Sequence, residues 1–162
     1  MPPGKKGDRL VDAYETINDI LVNLFNEILK LEEEAIITEE FKDITNNDMH
    51  IIEAIGLSGE NTMSVVAKKL GITAGSLTTS INSLVNKKYV VRKRSETDRR
   101  VVFIGLTEKG EKAFDHHKEY HKKMTEAVLE NLDEKEIAIL IKTLNGLSDF
   151  FKGYGEKSKK TG

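Results

Sequence analysis

At 162 residues, 32% of them charged, 6% aromatic and only two of them proline, the chain has the length of one domain and the composition of a helical one rather than a sandwich or barrel. It contains no cysteine, which excludes disulfides, thiolate metal sites and thiol-oxidation sensing. A net charge of −2 and a pI near 6.1 exclude coating of nucleic acid by bulk charge, and the lack of a long apolar run or signal-like segment leads us to expect a cytoplasmic protein.

Residues 1–7, with Pro2, Pro3, Gly4, Lys5 and Lys6, read as a disordered arm. From there the pattern changes. Leu10, Tyr14, Ile17, Leu21, Leu24, Ile28 and Leu31 alternate steps of four and three, the seam of a helix packed on another helix, predicted over 8–37. Val11, Ile20 and Phe25 add a second apolar flank. Two flanks suit either contact with a second subunit or a fully intramolecular core helix. Glu32-Glu33-Glu34 reads as a solvated acidic face.

Thr45-Asn46-Asn47-Asp48 has the form of a capping box, and it opens a helix with Met49, Ile51, Ile52 and Ile55 that stops at Gly56. Ser58 to Asn61 is a loop. Met63 to Leu70 is a short amphipathic helix, Gly71 suits a sharp turn, and Thr73 suits an N-cap. A second helix follows from Ala74 to about Lys87, with Leu77, Ile81, Leu84 and Val85 on one face. Its other face carries Gly75, Ser76, Thr78, Thr79, Asn82, Ser83 and Asn86. These are small and hydrogen-bonding, and none is acidic, so the face can lie close against base edges and phosphates. This is a helix-turn-helix with a recognition helix.

Tyr89 to Arg94 and Val101 to Leu106 have strand composition, and Ser95 to Arg100 between them is turn-prone, so the pair reads as a β-hairpin. Between Lys87 and Arg100 stand seven basic residues against Glu96 and Asp98. A charged hairpin tip can be no more than a protected edge. Directly after a recognition helix it reads as a wing. Thr107 caps the next helix, marked by Phe114, Tyr120, Met124 and Val128, and Asp133 with Glu136 forms a second capping box opening a last helix with Ile137, Leu140, Leu144, Leu147 and Phe151. Together 45–106 form the DNA-binding domain, 107–153 a pair of C-terminal dimerisation helices beside the first helix, and 154–162 a disordered tail.

Asp98-Arg99-Arg100-Val101-Val102 followed by Leu106-Thr107-Glu108-Lys109-Gly110 resembles the wing signature of the MarR-type winged-helix repressors. The resemblance runs from about Val11 to Phe151. It implies a mainly α, six-helix homodimer with a small β-hairpin wing, binding an inverted-repeat operator in double-stranded DNA. It implies that Asp98 braces the wing and Arg100 enters the minor groove. Arg99 would be a phosphate contact, and Lys87 and Arg94 belong to the same DNA-binding set. Phe41-Lys42-Asp43-Ile44, Met49-His50, Gly75 to Ser80 and Ser95 to Val102 further resemble the subgroup of that family that represses fatty-acid synthesis in Gram-positive cocci. The subgroup implies long-chain acyl-acyl carrier protein as co-repressor. Leu21, Leu24, Phe25, Phe41, Met49, Ile52 and Leu57 are the candidates to line an acyl tunnel, and Lys118 and Lys122, with Lys109, Lys112 and Lys123, to dock an acidic carrier. Apolar residues at helical spacing equally make a filled core.

No phosphate loop or nucleophile elbow is present, so the chain is not read as an enzyme and no cofactor is expected. His117 and His121 stand at i, i+4 and are the runner-up pair for a zinc site among surrounding lysines. The alternative reading is accordingly a MarR-type regulator responding to zinc or to a small lipophilic or aromatic ligand.

Overall fold

The computed structural model describes residues 6–38 and 40–159. Among the described residues nine elements follow in order: α1 (Lys6–Ile36), α2 (Asn46–Ile55), β1 (Asn61–Thr62), α3 (Met63–Leu70), α4 (Ala74–Asn86), β2 (Val90–Arg94), β3 (Val102–Leu106), α5 (Glu108–Leu129) and α6 (Glu134–Lys159). The chain divides into two compact units, Met1–Tyr120 and His121–Gly162, with the boundary inside α5.

In the first unit the apolar stripes meet. Met49, Ile52 and Ile55 of α2, Val66 of α3, Leu77, Ile81 and Leu84 of α4, and Ile104 of β3 are all fully buried in one core. The ends of these helices are set by local chemistry. Thr45 accepts from the Asp48 backbone N–H while the Asp48 carboxylate accepts from the Thr45 N–H, both at 3.1 Å, closing the capping box reciprocally. Thr73 caps α4 by accepting from the Ser76 N–H. Gly71 takes φ +65° in the left-handed region, and its N–H donates to Lys68, so α3 stops and the chain turns into α4.

The sheet has three strands in the order β1-β3-β2, all antiparallel. Its third strand corrects the loop expected over Ser58 to Asn61: Asn61 and Thr62 pair with Ile104 and Phe103. Two residues carry no alternation, so periodicity misses such a strand. β2 and β3 pair from Val90↔Leu106 to Arg94↔Val102.

In the second unit, the Asp133 carboxylate accepts from the Lys135 and Glu136 N–H groups, and Glu136 returns a bond from the Asp133 N–H, the second capping box. Two boundary expectations are corrected. Lys6 and Gly7 belong to α1, and α6 continues through Lys159, so 154–159 is helix and not a disordered tail. Phe150, packed edge-on to Phe151 and against the Tyr154 ring, carries the helix past Gly153, since contacts at i, i+4 offset the modest propensity penalty of a glycine. Residues 1–5 of the arm and 160–162 of the tail lie outside the described residues.

Candidate nucleic-acid interface

The face of α4 turned away from the core is as small and polar as its sequence implies. Gly75, Ser76, Thr78, Thr79 and Asn82 are exposed and Ser83 is half-buried, while Leu77, Ile81 and Leu84 face inward. No acidic residue occupies the first turn of α4, which leaves its N-terminal backbone N–H groups unopposed toward phosphate. Some of the hydroxyls at this end are engaged locally. Thr78 donates to the Ala74 carbonyl at 2.8 Å, and Thr73 donates to Ser76 Oγ at 3.0 Å. Asn82 accepts at Oδ1 from Arg92 Nη2 of β2 at 2.6 Å, a link between the helix and the wing that neither segment announces in sequence.

The wing tip is held by a few short bonds. Ser95 N–H donates to the Val101 carbonyl and Val101 N–H to the Asp98 carbonyl, both at 2.9 Å. Ser95 Oγ accepts from the Thr97 and Asp98 N–H groups. Asp98 then grips Arg100 three times: Oδ1 accepts from the Arg100 N–H at 3.0 Å and from Nε at 3.1 Å, and Oδ2 from Nη2 at 3.1 Å. The hydrogen bonds from Arg100 hold the Asp98 carboxyl below the usual carboxylate range. The Arg100 side chain is 91% exposed, so the brace aims a charged, water-covered guanidinium outward at little cost. Arg94 and Arg99 are exposed beside it and line an open hollow with Ser95 and Glu96.

Lys87 does not join this set. Its Nζ lies 2.8 Å from the Asp48 carboxylate, itself 8% exposed, so it ties the C-terminal end of α4 to the start of α2. A cation paired with a nearly buried carboxylate is held as a structural strut, a role beside the DNA contact expected of it. Next to it Lys88 takes φ +66°.

The wing's base is locked to α5. Tyr89 is buried and donates from its hydroxyl to Asp43 at 2.7 Å, while Lys109 Nζ sits 4.0 Å from the ring centroid and near the same carboxylate. Burial and the Asp43 carboxylate together push the Tyr89 hydroxyl well above its ordinary pKa. Burial works to raise Asp43, but the Tyr89 and Lys109 contacts outweigh it and lower its pKa. Thr107 caps α5 at the Gly110 N–H, donates to the Lys88 carbonyl at 2.6 Å, and sends its own N–H to the Tyr89 carbonyl. At Gly110 an added Cβ would collide with the Tyr89 carbonyl oxygen. The Leu-Thr-x-x-Gly spacing therefore records a close approach of α5 to the end of the recognition-helix turn.

The proposed effector residues do not gather around one space in this chain. Phe41, Met49 and Ile52 are packed in the core, 3%, 0% and 0% exposed. Leu24, Phe25 and Leu57 are exposed, and Leu21 is half-buried. Three of the seven are thus core side chains and four lie wholly or partly at the surface, a distribution that a filled core also produces. Lys118 and Lys122 are exposed, Lys122 lies 3.9 Å from Glu126, and Lys109 is engaged with Asp43 and the Lys87 carbonyl.

His117 is likewise not a surface residue. It is 2% exposed, and its Nε2 lies 3.0 Å from Glu32 Oε1, so one member of the acidic run is buried too, at 5%. Glu53 approaches the other ring nitrogen at 3.9 Å, and the His50 ring meets His117 edge-on. The preceding His116 bonds the Ala35 carbonyl through Nε2 at 2.8 Å. Residues 85 positions apart make this cluster, so only the contact itself reveals it. His121 follows one turn further along α5 and is half-buried.

A recognition helix, a braced arginine wing and a fold of this order define a winged helix-turn-helix DNA-binding regulator. Residues 42–101 match the MarR family model. The chain is 42% identical to Streptococcus pneumoniae FabT, whose crystal structure is of a complex with DNA, with a TM-score of 0.78 over 87% of this chain and 99% of that one. It is 30% identical over 109 residues to YpoP, an HTH-type transcriptional regulator of Bacillus subtilis strain 168, covering 65% of this chain and 75% of the relative. YhbI of the same organism, also an HTH-type regulator, is 28% identical over 94% of this chain and 97% of its own length. The chain belongs to the MarR family of transcriptional regulators. Within that family it is similar to FabT over nearly the whole of FabT's length. Among the described residues no helix is long and apolar enough to cross a membrane.

Proposed function

We propose that this MarR-type regulator is a homodimeric repressor of fatty-acid-synthesis genes, with long-chain acyl-acyl carrier protein as co-repressor. The observation that carries the reading is the likeness to FabT, 42% identity with a TM-score of 0.78 over 87% of this chain. Dimerisation is supported by the apolar rows left bare on two helices: Tyr14, Ile17 and Phe25 on α1, and Ile139, Leu144, Phe150 and Phe151 on α6 are each about half exposed or more. Rows of that extent are covered in a stable protein. Two recognition helices would then meet half-sites of an inverted repeat about one helical turn apart, with each Arg100 in a flanking minor groove.

A co-repressor must bind the DNA-competent arrangement better than the relaxed one, since equal affinity for both shifts nothing. Each buried methylene contributes about 0.8 kcal/mol, so two added carbons should tighten operator binding roughly fifteenfold for as long as the added carbons become buried. The test is operator affinity by fluorescence anisotropy with carriers bearing short, medium and long acyl chains. Affinity that climbs with chain length supports the reading. Flat affinity across the series retires the acyl carrier and leaves a MarR-type regulator of another signal. Lys118→Glu with Lys122→Glu should weaken the carrier's effect more at low salt than at high salt.

A further inference from the structure

We infer that Arg92 dictates which base the recognition helix reads through Asn82, by occupying the carbonyl oxygen of its side-chain amide. The inference rests on α4 being the DNA-reading helix.

The geometry is a single short bond between two exposed side chains, Arg92 Nη2 to Asn82 Oδ1 at 2.6 Å. Carbonyl and amino ends of an asparagine are hard to tell apart by shape alone. Here the partner decides. A guanidinium carries only donors, so the atom facing it has to be the oxygen. Both main chains are anchored beneath the pair. Asn82 follows Ile81, which is fully buried, and Arg92 lies on the same strand face as Val90, 2% exposed, two residues earlier. The bond therefore joins two rigid elements rather than two loops.

Fixing the oxygen leaves the amide's NH2 group as what Asn82 presents outward. An asparagine that reads adenine in the major groove uses both ends at once, accepting from N6 and donating to N7. Held by Arg92, Oδ1 keeps a second lone pair but is turned toward the guanidinium, so the amide leads with its NH2 group. It is left as a donor, with the remaining guanidinium N–H groups beside it as further donors. Two donors side by side match the N7 and O6 acceptors of guanine. Arg92 is thus a positioning residue that turns an adenine reader into a guanine reader.

The test measures operator affinity with every half-site position replaced by each of the four bases, at one fixed salt concentration. It compares the intact protein with Asn82→Ala, Arg92→Met and Arg92→Lys. Methionine keeps an unbranched stem without a donor, and lysine restores both a donor and the charge. The intact protein should favour guanine about tenfold at one base pair per half-site, and Asn82→Ala should flatten the preference there. Arg92→Met should move the preference at that same pair toward adenine, and Arg92→Lys should return it toward guanine. Urea midpoints of the variants equal to that of the intact protein keep folding out of the comparison. The inference is overturned if Arg92→Met weakens all sequences by one common factor with the base profile unchanged, as a plain phosphate anchor would. It is overturned too if Asn82→Ala leaves every position as it was. An intact protein that binds no duplex sequence-specifically overturns the DNA-reading assignment itself, a result distinct from either.

Discussion

The Arg100 side chain is 91% exposed to water, and Asp98 decides where it points. Three hydrogen bonds from one arginine to one carboxylate reduce the rotamer freedom that a bare arginine would surrender on entering a groove. Arg100→Ala should lose most sequence-specific operator affinity while gel filtration and the urea midpoint stay unchanged, because a side chain this exposed contributes little to folding. Asp98 has its pKa lowered from 3.8, so its brace is present above the ordinary carboxylate range and is lost only as pH falls through the lowered value. Operator affinity should accordingly show no step from this group between about pH 5 and 8. Gly110 is the counter-example, a residue with no side chain and a large structural role. Gly110→Ala should destabilise by about 1–3 kcal/mol in urea unfolding, since the obstacle is the Tyr89 backbone carbonyl and backbone yields less than a side chain. A midpoint within error of the parent would refute that packing argument.

At the scale of elements, what sequence reveals depends on how local the cause is. The capping boxes at Thr45 and Asp133, the N-cap at Thr73 and the left-handed turn at Gly71 all act over three or four residues, and each is legible in the chain. The wing signature is legible for the same reason. What escapes is paired at long range or runs against composition: the two-residue strand β1, the helical 154–159, the Arg92–Asn82 bond and the Glu32–His117 pair. Glu32 looks like one of three equivalent glutamates, and only the arrival of α5 makes it different. The pair joins α1 to α5 inside the first unit. Glu32→Leu should cost about 1–3 kcal/mol by removing the acceptor from a buried imidazole, whereas exposed Lys118→Ala should shift stability by no more than about 0.5 kcal/mol. Urea midpoints of the two variants decide it, and equal values would mean that the pair is ornamental to the fold.

For the whole molecule, the DNA-reading elements lie within the first unit, and α1 and α6 carry bare apolar rows. A net charge of −2 makes sense under that division. Seven basic against two acidic residues between Lys87 and Arg100 put a local positive excess at the wing, so strong binding is expected only where recognition helix and wing engage together. If two copies act together, affinity for an inverted repeat should far exceed affinity for one half-site, because the second head binds at high effective concentration. The most direct measurement is an anisotropy titration of the intact protein against a duplex selected by it from a random pool, its isolated half-site and a scrambled duplex of equal length, at several salt concentrations. The account predicts an inverted repeat among the selected sequences, bound at least about a hundredfold more tightly than the half-site or the scramble at physiological salt. Equal affinity for all three duplexes at every salt concentration would contradict it.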